Sequence, residues 1–206
     1  MKKAATARRH RRQPRPCRVW VVGSHNTGKS NLSRWIASTY DLPLFDEIAR
    51  IEVAKMGSKN FDQLRTDLAA TTAFQRNVFE QQLRVGEGVA RFVSDRAFDN
   101  LAYSASFADV DLVADLWESP ACRRYVGDIA ATVRDGAGAV FFVRPGVAAE
   151  NDGTRAAGDL GSDDVARIDG MVKLLLGLGR VRYVPIETTN FQERASIVDA
   201  VLRFIV

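Results

Sequence analysis

From residue 18 onward the chain alternates short apolar runs with amphipathic stretches. The runs at 18–22 (RVWVV), 42–46 (LPLFD), 89–94 (VARFVS), 138–143 (GAVFFV) and 181–186 (VRYVPI) are bounded by turn residues. Near-continuous apolar character over so few residues predicts strands covered on both faces, as in parallel sheets. Between the runs the apolar positions recur at helical spacing. Leu32, Trp35 and Ile36 share one helical face, and 61–85 (FDQLRTDLAATTAFQRNVFEQQLRV) contains neither Gly nor Pro. Further helices fit 99–107, 119–134, 163–177 and 191–205. The alternation predicts a single layered α/β domain over 18–206, without internal repeats. Residues 146–162 (GVAAENDGTRAAGDLGS), glycine-bearing and polar, are expected to form a lid loop on that domain.

Composition narrows the class. The 206 residues are 46% hydrophobic and 26% charged, ordinary for a globular domain. With no apolar run of about 18 residues, no membrane partner is expected. The two cysteines, Cys17 and Cys122, lack zinc-type spacing and fit a reduced, intracellular setting. The formal charge of +4 is unevenly distributed: residues 1–18 hold eight Lys and Arg and no acid, leaving 21 basic and 25 acidic residues elsewhere, a net of −4. Residues 1–17 are therefore expected to be a disordered basic tail on an acidic body. Such a tail can neutralise nucleic-acid phosphates, or it can be a solvated leader.

The first run ends in Gly23-Ser-His-Asn-Thr-Gly28-Lys29-Ser30, the P-loop pattern G-x-x-x-x-G-K-[ST] between a strand and a helix. Glycines let successive amides, here at Gly23, Asn26, Thr27 and Gly28, turn inward around phosphate oxygens. The helix that follows adds its positive dipole end. Lys29 is expected to bridge the β- and γ-phosphates of ATP, Ser30 to ligate Mg²⁺, and Asn31 to reach the α-phosphate. His25 counts here mainly for its backbone, and neither it nor His10 has a metal-site partner.

Three other segments carry chemistry. In RFVSDRAFDNLAYS, Asp95 ends a buried strand and is a candidate for Mg²⁺ or the acceptor. Arg96 pairs with phosphate or an acid, and Asp99 and Tyr103 share a helical face. The competing reading is an N-capping Asp and a surface Arg. In FDEIAR, Asp46, Glu47 and Arg50 follow the second strand, where ligand crevices open. Glu47 is a candidate proton acceptor and Arg50 a substrate contact, unless the two form a surface i,i+3 ion pair. Glu47 and Asp95 thus both qualify as base. Arg144, Asp152 and Arg155 belong to the lid argument, since phosphoryl transfer needs positive charge on the migrating group and exclusion of water; Arg167 is a further candidate. In PIETTNFQER, Thr188, Thr189 and Asn190 are candidate adenine contacts, Asn190 alternatively a helix cap.

The order P-loop, E-x-x-R, D-R-x-x-D-x-x-A-Y and D-G-x-R resembles the nicotinamide-riboside-kinase-like branch of P-loop kinases, which includes the kinase domain of NAD-biosynthesis regulators. Thymidylate and deoxynucleoside kinases are more distant. The resemblance implies a three-layer α/β fold with a five-stranded parallel sheet in the order 2-3-1-4-5. It also implies ATP- and Mg²⁺-dependent transfer of the γ-phosphoryl to a hydroxyl or phosphate of a nucleoside- or nucleotide-like acceptor. By residue, it assigns Lys29 and Ser30 to phosphate and metal, Glu47 or Asp95 to the acceptor hydroxyl, and Arg155 to the lid. The setting implied is the cytoplasm of a bacterium or of a phage-infected host. No aromatic clamp for a nicotinamide ring stands in a fixed place, and the basic tail departs from the family. That tail suits an alternative, a bacteriophage-type kinase acting on 5-hydroxymethyluracil in DNA. A second alternative is an ATPase switch, against which stand the missing Asn-Lys-x-Asp guanine signature and the lack of residues for a second helical domain.

Overall fold

The computed structural model describes residues 15–55, 64, 66–145 and 162–206. The expected lid thus lies outside the described residues up to 161, as does the tail up to 14. Five strands, β1 (Cys17–Val22), β2 (Leu44–Phe45), β3 (Arg91–Asp95), β4 (Gly138–Val143) and β5 (Val184–Ile186), form one sheet in the order β2-β3-β1-β4-β5. Every pairing is parallel. The sheet order and class implied by resemblance are those observed.

Eight helices occur among the described residues: α1 (Lys29–Tyr40), α2 (Ile48–Lys55), α3 (Leu68–Gln82), α4 (Asn100–Phe107), α5 (Val110–Glu118), α6 (Pro120–Arg134), α7 (Ser162–Leu178) and α8 (Phe191–Leu202). Strand alternation divides the core into two layers. Val19, Val21, Phe141 and Val143 face Leu32, Ile36, Val198 and Leu202 of α1 and α8. Trp20, Val22, Val140 and Phe142 face the other helices, through Phe79, Leu101, Leu112, Ile129, Ile168 and Leu176. Both faces of β1 and β4 are therefore dry, which is why their sequences read as apolar runs.

The differences from expectation have local causes. β2 is only two residues long because Pro43, lacking an N–H, joins the ladder through its carbonyl alone, accepting from Val93 N at 2.8 Å. β5 starts at Val184 rather than 181, since the Val181 amide is spent on the Leu176 carbonyl at the end of α7. Two helices, α2 and α5, were not expected from the pattern. Asp109 caps α5 by accepting from the Asp111 amide, and Ser119 both ends α5 and caps α6 by accepting from Cys122 N. With Pro120 at its first position, α6 follows α5 with only Ser119 between them, so the two blur into one amphipathic stretch.

Phe141 is fully buried at the centre of the α1/α8 layer. Phe141→Ala is expected to destabilise the fold by about 3–5 kcal/mol, read as a lower urea midpoint at unchanged slope.

Candidate active site

A parallel sheet gathers the carboxyl ends of its strands at one edge. Here that edge presents Gly23 after β1, Asp46 and Glu47 after β2, Asp95 and Arg96 at β3, Arg144 after β4 and Glu187–Thr188 after β5. Distant segments of sequence meet for this reason alone.

The loop after β1 turns tightly. Gly23 has φ +144°, and a Cβ there would sit 2.3 Å from the Val143 carbonyl oxygen, so no other residue fits. Asn26 also has positive φ, at 54°, and Gly28, the residue before α1, has φ +83°. Lys29, 5% exposed, folds back so that Nζ donates to the Ser24 carbonyl, with Thr27 Oγ1 at 3.4 Å. Ser30 hydrogen-bonds the Asp95 carboxylate. Asn31 is exposed and accepts from Arg34 Nη1 at 3.4 Å.

Arg96 is the hub. Its Nε donates to Glu47 Oε1 at 2.8 Å, Nη1 to Asp99 Oδ2 at 3.2 Å and to the Gly23 carbonyl at 3.3 Å, and Nη2 to the Tyr103 hydroxyl at 3.1 Å. The guanidinium also lies over the Tyr103 ring, 4.4 Å from its centroid. Asp99 in turn accepts from the Gly23 and Ala97 amides at 3.2 and 2.7 Å. The Arg96 backbone has φ 102°, an unfavourable region for a side chain of this size, held by its side-chain bonds and by its amide donating to Val21 O at 3.0 Å. The reading of Arg96 as a surface residue is thus replaced by a buried ion-pair centre. Glu47 also takes Arg50 Nε at 2.9 Å, the i,i+3 pair considered above, while Asp46 is exposed beside it.

Charge shapes this cluster. Burial alone would raise the Glu47 carboxyl, but Arg96, Lys29 and Arg50 outweigh it and hold its pKa at about 2. Asp95 goes the other way: burial, then the charge of Glu47, raises it against the pull of Lys29, Arg96 and Ser30. Asp95 Oδ1 is buried without a partner, as is Ser24 Oγ. A buried carboxylate oxygen with a free lone pair, next to the serine that follows the P-loop lysine, suits a hard cation that takes oxygen ligands such as Mg²⁺. Burial and the Arg96 charge lower Lys29 to about 8, despite Asp95, Glu47 and Asp99 nearby.

The remaining candidates are dispersed. Asn190 caps α8, its Oδ1 accepting from Gln192 and Glu193 amides at 2.9 and 3.3 Å, while its own amide donates to Thr188 Oγ1 at 3.1 Å. Arg144 pairs with Asp169 at 2.8 Å and Glu187 at 3.6 Å. Arg167 pairs with Asp164 on the surface of α7. Asp152 and Arg155 lie outside the described residues. One residue at the site escaped the sequence reading. Arg194 of α8, 3% exposed, donates from Nε to the Thr188 carbonyl at 2.7 Å and from Nη1 to the Thr27 carbonyl at 2.6 Å. Its signal in the sequence was an unusual one, a cation in the first turn of a helix, where the dipole disfavours it.

Arg96→Met is expected to leave Asp99 buried without its ion-pair partner and Glu47 with Arg50 alone as ion-pair partner, and to cost about 3–5 kcal/mol at pH 7. The deficit should narrow on acidification, because a protonated Glu47 no longer needs the guanidinium; urea titrations at the two pH values measure both.

The sequence matches the family described as AAA domain over residues 18–194. No curated protein matches it. Among solved structures the fold is similar to that of a NadR protein in complex with NR, at TM-score 0.62 and 16% identity over 90% of this chain and 51% of that one. It is also similar to deoxyadenosine kinase from M. mycoides with bound dATP (TM-score 0.57, 12% identity, 90% and 99% covered). A third is shikimate kinase from Acinetobacter baumannii in complex with shikimate (0.52, 12%, 92% and 93%). The chain spans about half the length of the NadR chains it resembles.

Proposed function

The chain belongs to this AAA domain family, and from that premise we propose that it is an ATP- and Mg²⁺-dependent phosphotransferase delivering the γ-phosphoryl to a hydroxyl of a nucleoside-like acceptor. The observation that carries the reading is an intact P-loop whose Ser30 bonds the buried Asp95, beside a Glu47 carboxylate held by two arginines, both acids within the field of Lys29. The amides of residues 24–28 and the Lys29 ammonium bind and orient the polyphosphate, while the Gly23 amide, expected to join them, is held by Asp99 instead. Ser30 and Asp95 are the residues that would hold Mg²⁺, which when bound neutralises charge on the transferring group. Glu47, kept ionised by Arg96 and Arg50, stands on the acceptor side, where it orients the hydroxyl and accepts its proton. Arg155 is assigned to the lid, as a positive charge for the migrating group.

The charge balance on the acceptor side favours a hydroxyl over a phosphate. A phosphate acceptor needs cations with charge to spare, but among the described residues Arg96 is answered by Glu47 and Asp99, and Arg50 by Glu47. A nucleoside therefore fits better than its 5′-monophosphate. The bacteriophage-type reading, transfer to 5-hydroxymethyluracil in DNA, also presents a hydroxyl and is favoured by the basic tail. An ATPase switch would have water as its acceptor, oriented by Glu47 in place of a hydroxyl, so the product of the reaction separates it from the first reading.

A screen with γ-labelled ATP against nucleosides (nicotinamide riboside among them), 5′-monophosphates and hydroxymethylated DNA separates these readings. Label on a nucleoside hydroxyl is the expected result; label only on DNA, lost at high salt and on deleting residues 1–16, selects the second. Phosphate release to water with no acceptor labelled selects the switch and sinks the proposal. Lys29→Ala should remove transfer by about a hundredfold or more with the fold intact, since the chemistry rests on electrostatic stabilisation.

The pH dependence has a definite sign. Because Lys29 in the free protein titrates at about 8, kcat/KM for ATP should fall above that pH, approaching tenfold per unit. Lys29→Arg, charged throughout, should lack this descending limb whatever its absolute rate. Glu47 gives no acid limb above about pH 3, being ionised well below neutrality.

A further inference from the structure

Among the described residues two arginines are buried at the edge that carries the P-loop, and they are opposites. Arg96 is matched by two carboxylates, Glu47 and Asp99. Arg194 is as little exposed, though nearer the surface, and its bonds run only to the neutral carbonyls of Thr27 and Thr188, while its Nη2 has no partner. Burial alone lowers its pKa, with no acid acting against it. It stands, moreover, in the first turn of α8, at the positive end of that helix dipole. A buried cation that is unpaired and set against a dipole is unfavourable unless a negative group answers it.

Its position says what that group is. Nη1 lies against the outside of the P-loop: a Cβ built on Gly28 would meet it at 2.9 Å. We propose that Arg194 is a positioning residue of the nucleotide site whose counter-charge is the bound polyphosphate and whose two carbonyl bonds tie the P-loop to the turn after β5. P-loop amides point inward to phosphate while carbonyls point out, so Arg194 supports the cradle from behind and adds positive potential through it. The Thr188 bond makes that turn and the P-loop one unit, although 161 residues separate Thr27 from Thr188.

The inference rests on the phosphotransferase reading only in requiring that the P-loop bind a polyphosphate. Two variants separate charge from bracing: Arg194→Lys keeps the charge, Arg194→Gln keeps a donor without it. Titration calorimetry with ATP and with inorganic triphosphate, both with Mg²⁺, should give dissociation constants within about threefold of the unmutated protein for Lys. For Gln they should be weaker by about tenfold or more. The Gln variant, relieved of a buried charge, should melt at or above the Lys variant in the absence of ligand. Equal losses in the two variants, or triphosphate affinity unchanged in Gln, overturn the proposal while leaving phosphotransfer standing. An unmutated protein that binds neither ligand overturns both. Should either variant fold poorly, arginine side-chain ¹⁵N NMR of the unmutated protein decides: the Arg194 Nε–H resonance is expected to shift on adding triphosphate, and an unmoved resonance overturns the assignment.

Discussion

The site depends on one shared guanidinium. Arg96 links the end of β2 through Glu47, the P-loop through the Gly23 carbonyl, and the start of α4 through Asp99 and Tyr103. Each of these loops is irregular and would drift if held only by its own turn. Burying one cation with two carboxylates makes their relative positions a condition of charge balance rather than of loop stiffness. The left-handed backbone at Arg96 belongs to the same arrangement. A conformation that costs about 1–3 kcal/mol persists because the side chain it aims is fixed at three ends.

That hub also separates the two carboxylates that the sequence left as rivals. Glu47 sits against two arginines and is pinned ionised, whereas Asp95, on the strand just before the hub, has its pKa raised and one oxygen without a partner. Burial acts against the charge of both acids, and only the one nearer the arginines is compensated enough to be driven the other way. Three of the buried side-chain atoms without partners, Ser24 Oγ, Asp95 Oδ1 and Arg194 Nη2, belong to residues at the P-loop or bonded to it. Their clustering at one loop is a cost to the fold that its own contacts do not offset. The fold was optimised there for something other than its own stability.

What the sequence made legible follows from range. The P-loop is local, eight residues whose glycines and lysine act at fixed spacing, and strand β1 and helix α1 on either side of it carry strong periodicity. The five strands were legible because both faces of the sheet are covered, and they blurred only where Pro43 and the Val181 amide altered the ladder. The Glu47–Arg96 bond spans 49 residues and follows from β2 lying beside β3. The two residue types were visible but their partnership was not, since an arginine after a strand reads equally as a phosphate ligand or a surface charge. The Arg194–Thr27 bond spans 167 residues and has no motif to announce it. Its trace is negative, a cation where a helix start prefers an acid.

Geometry also bears on the basic tail. Because β1 runs from Cys17 toward the P-loop, the described residues before it, Arg15 and Pro16, lie at the opposite edge of the sheet from Lys29; Arg91 Nη1 holds the Arg15 carbonyl there at 2.9 Å. A six-residue strand separates the two edges by about 20 Å. Fourteen further residues can span at most about 46–50 Å if extended, so the tail has the reach to return to the acceptor side or to bind elsewhere. A polyanion attracted by the tail would face a body whose net charge is opposite in sign to the tail. Long-range attraction would then be confined to the tail, within a Debye length of about 8 Å at physiological salt. The described start of the chain and the charge-matched cluster around Arg96 thus stand at opposite edges of one sheet.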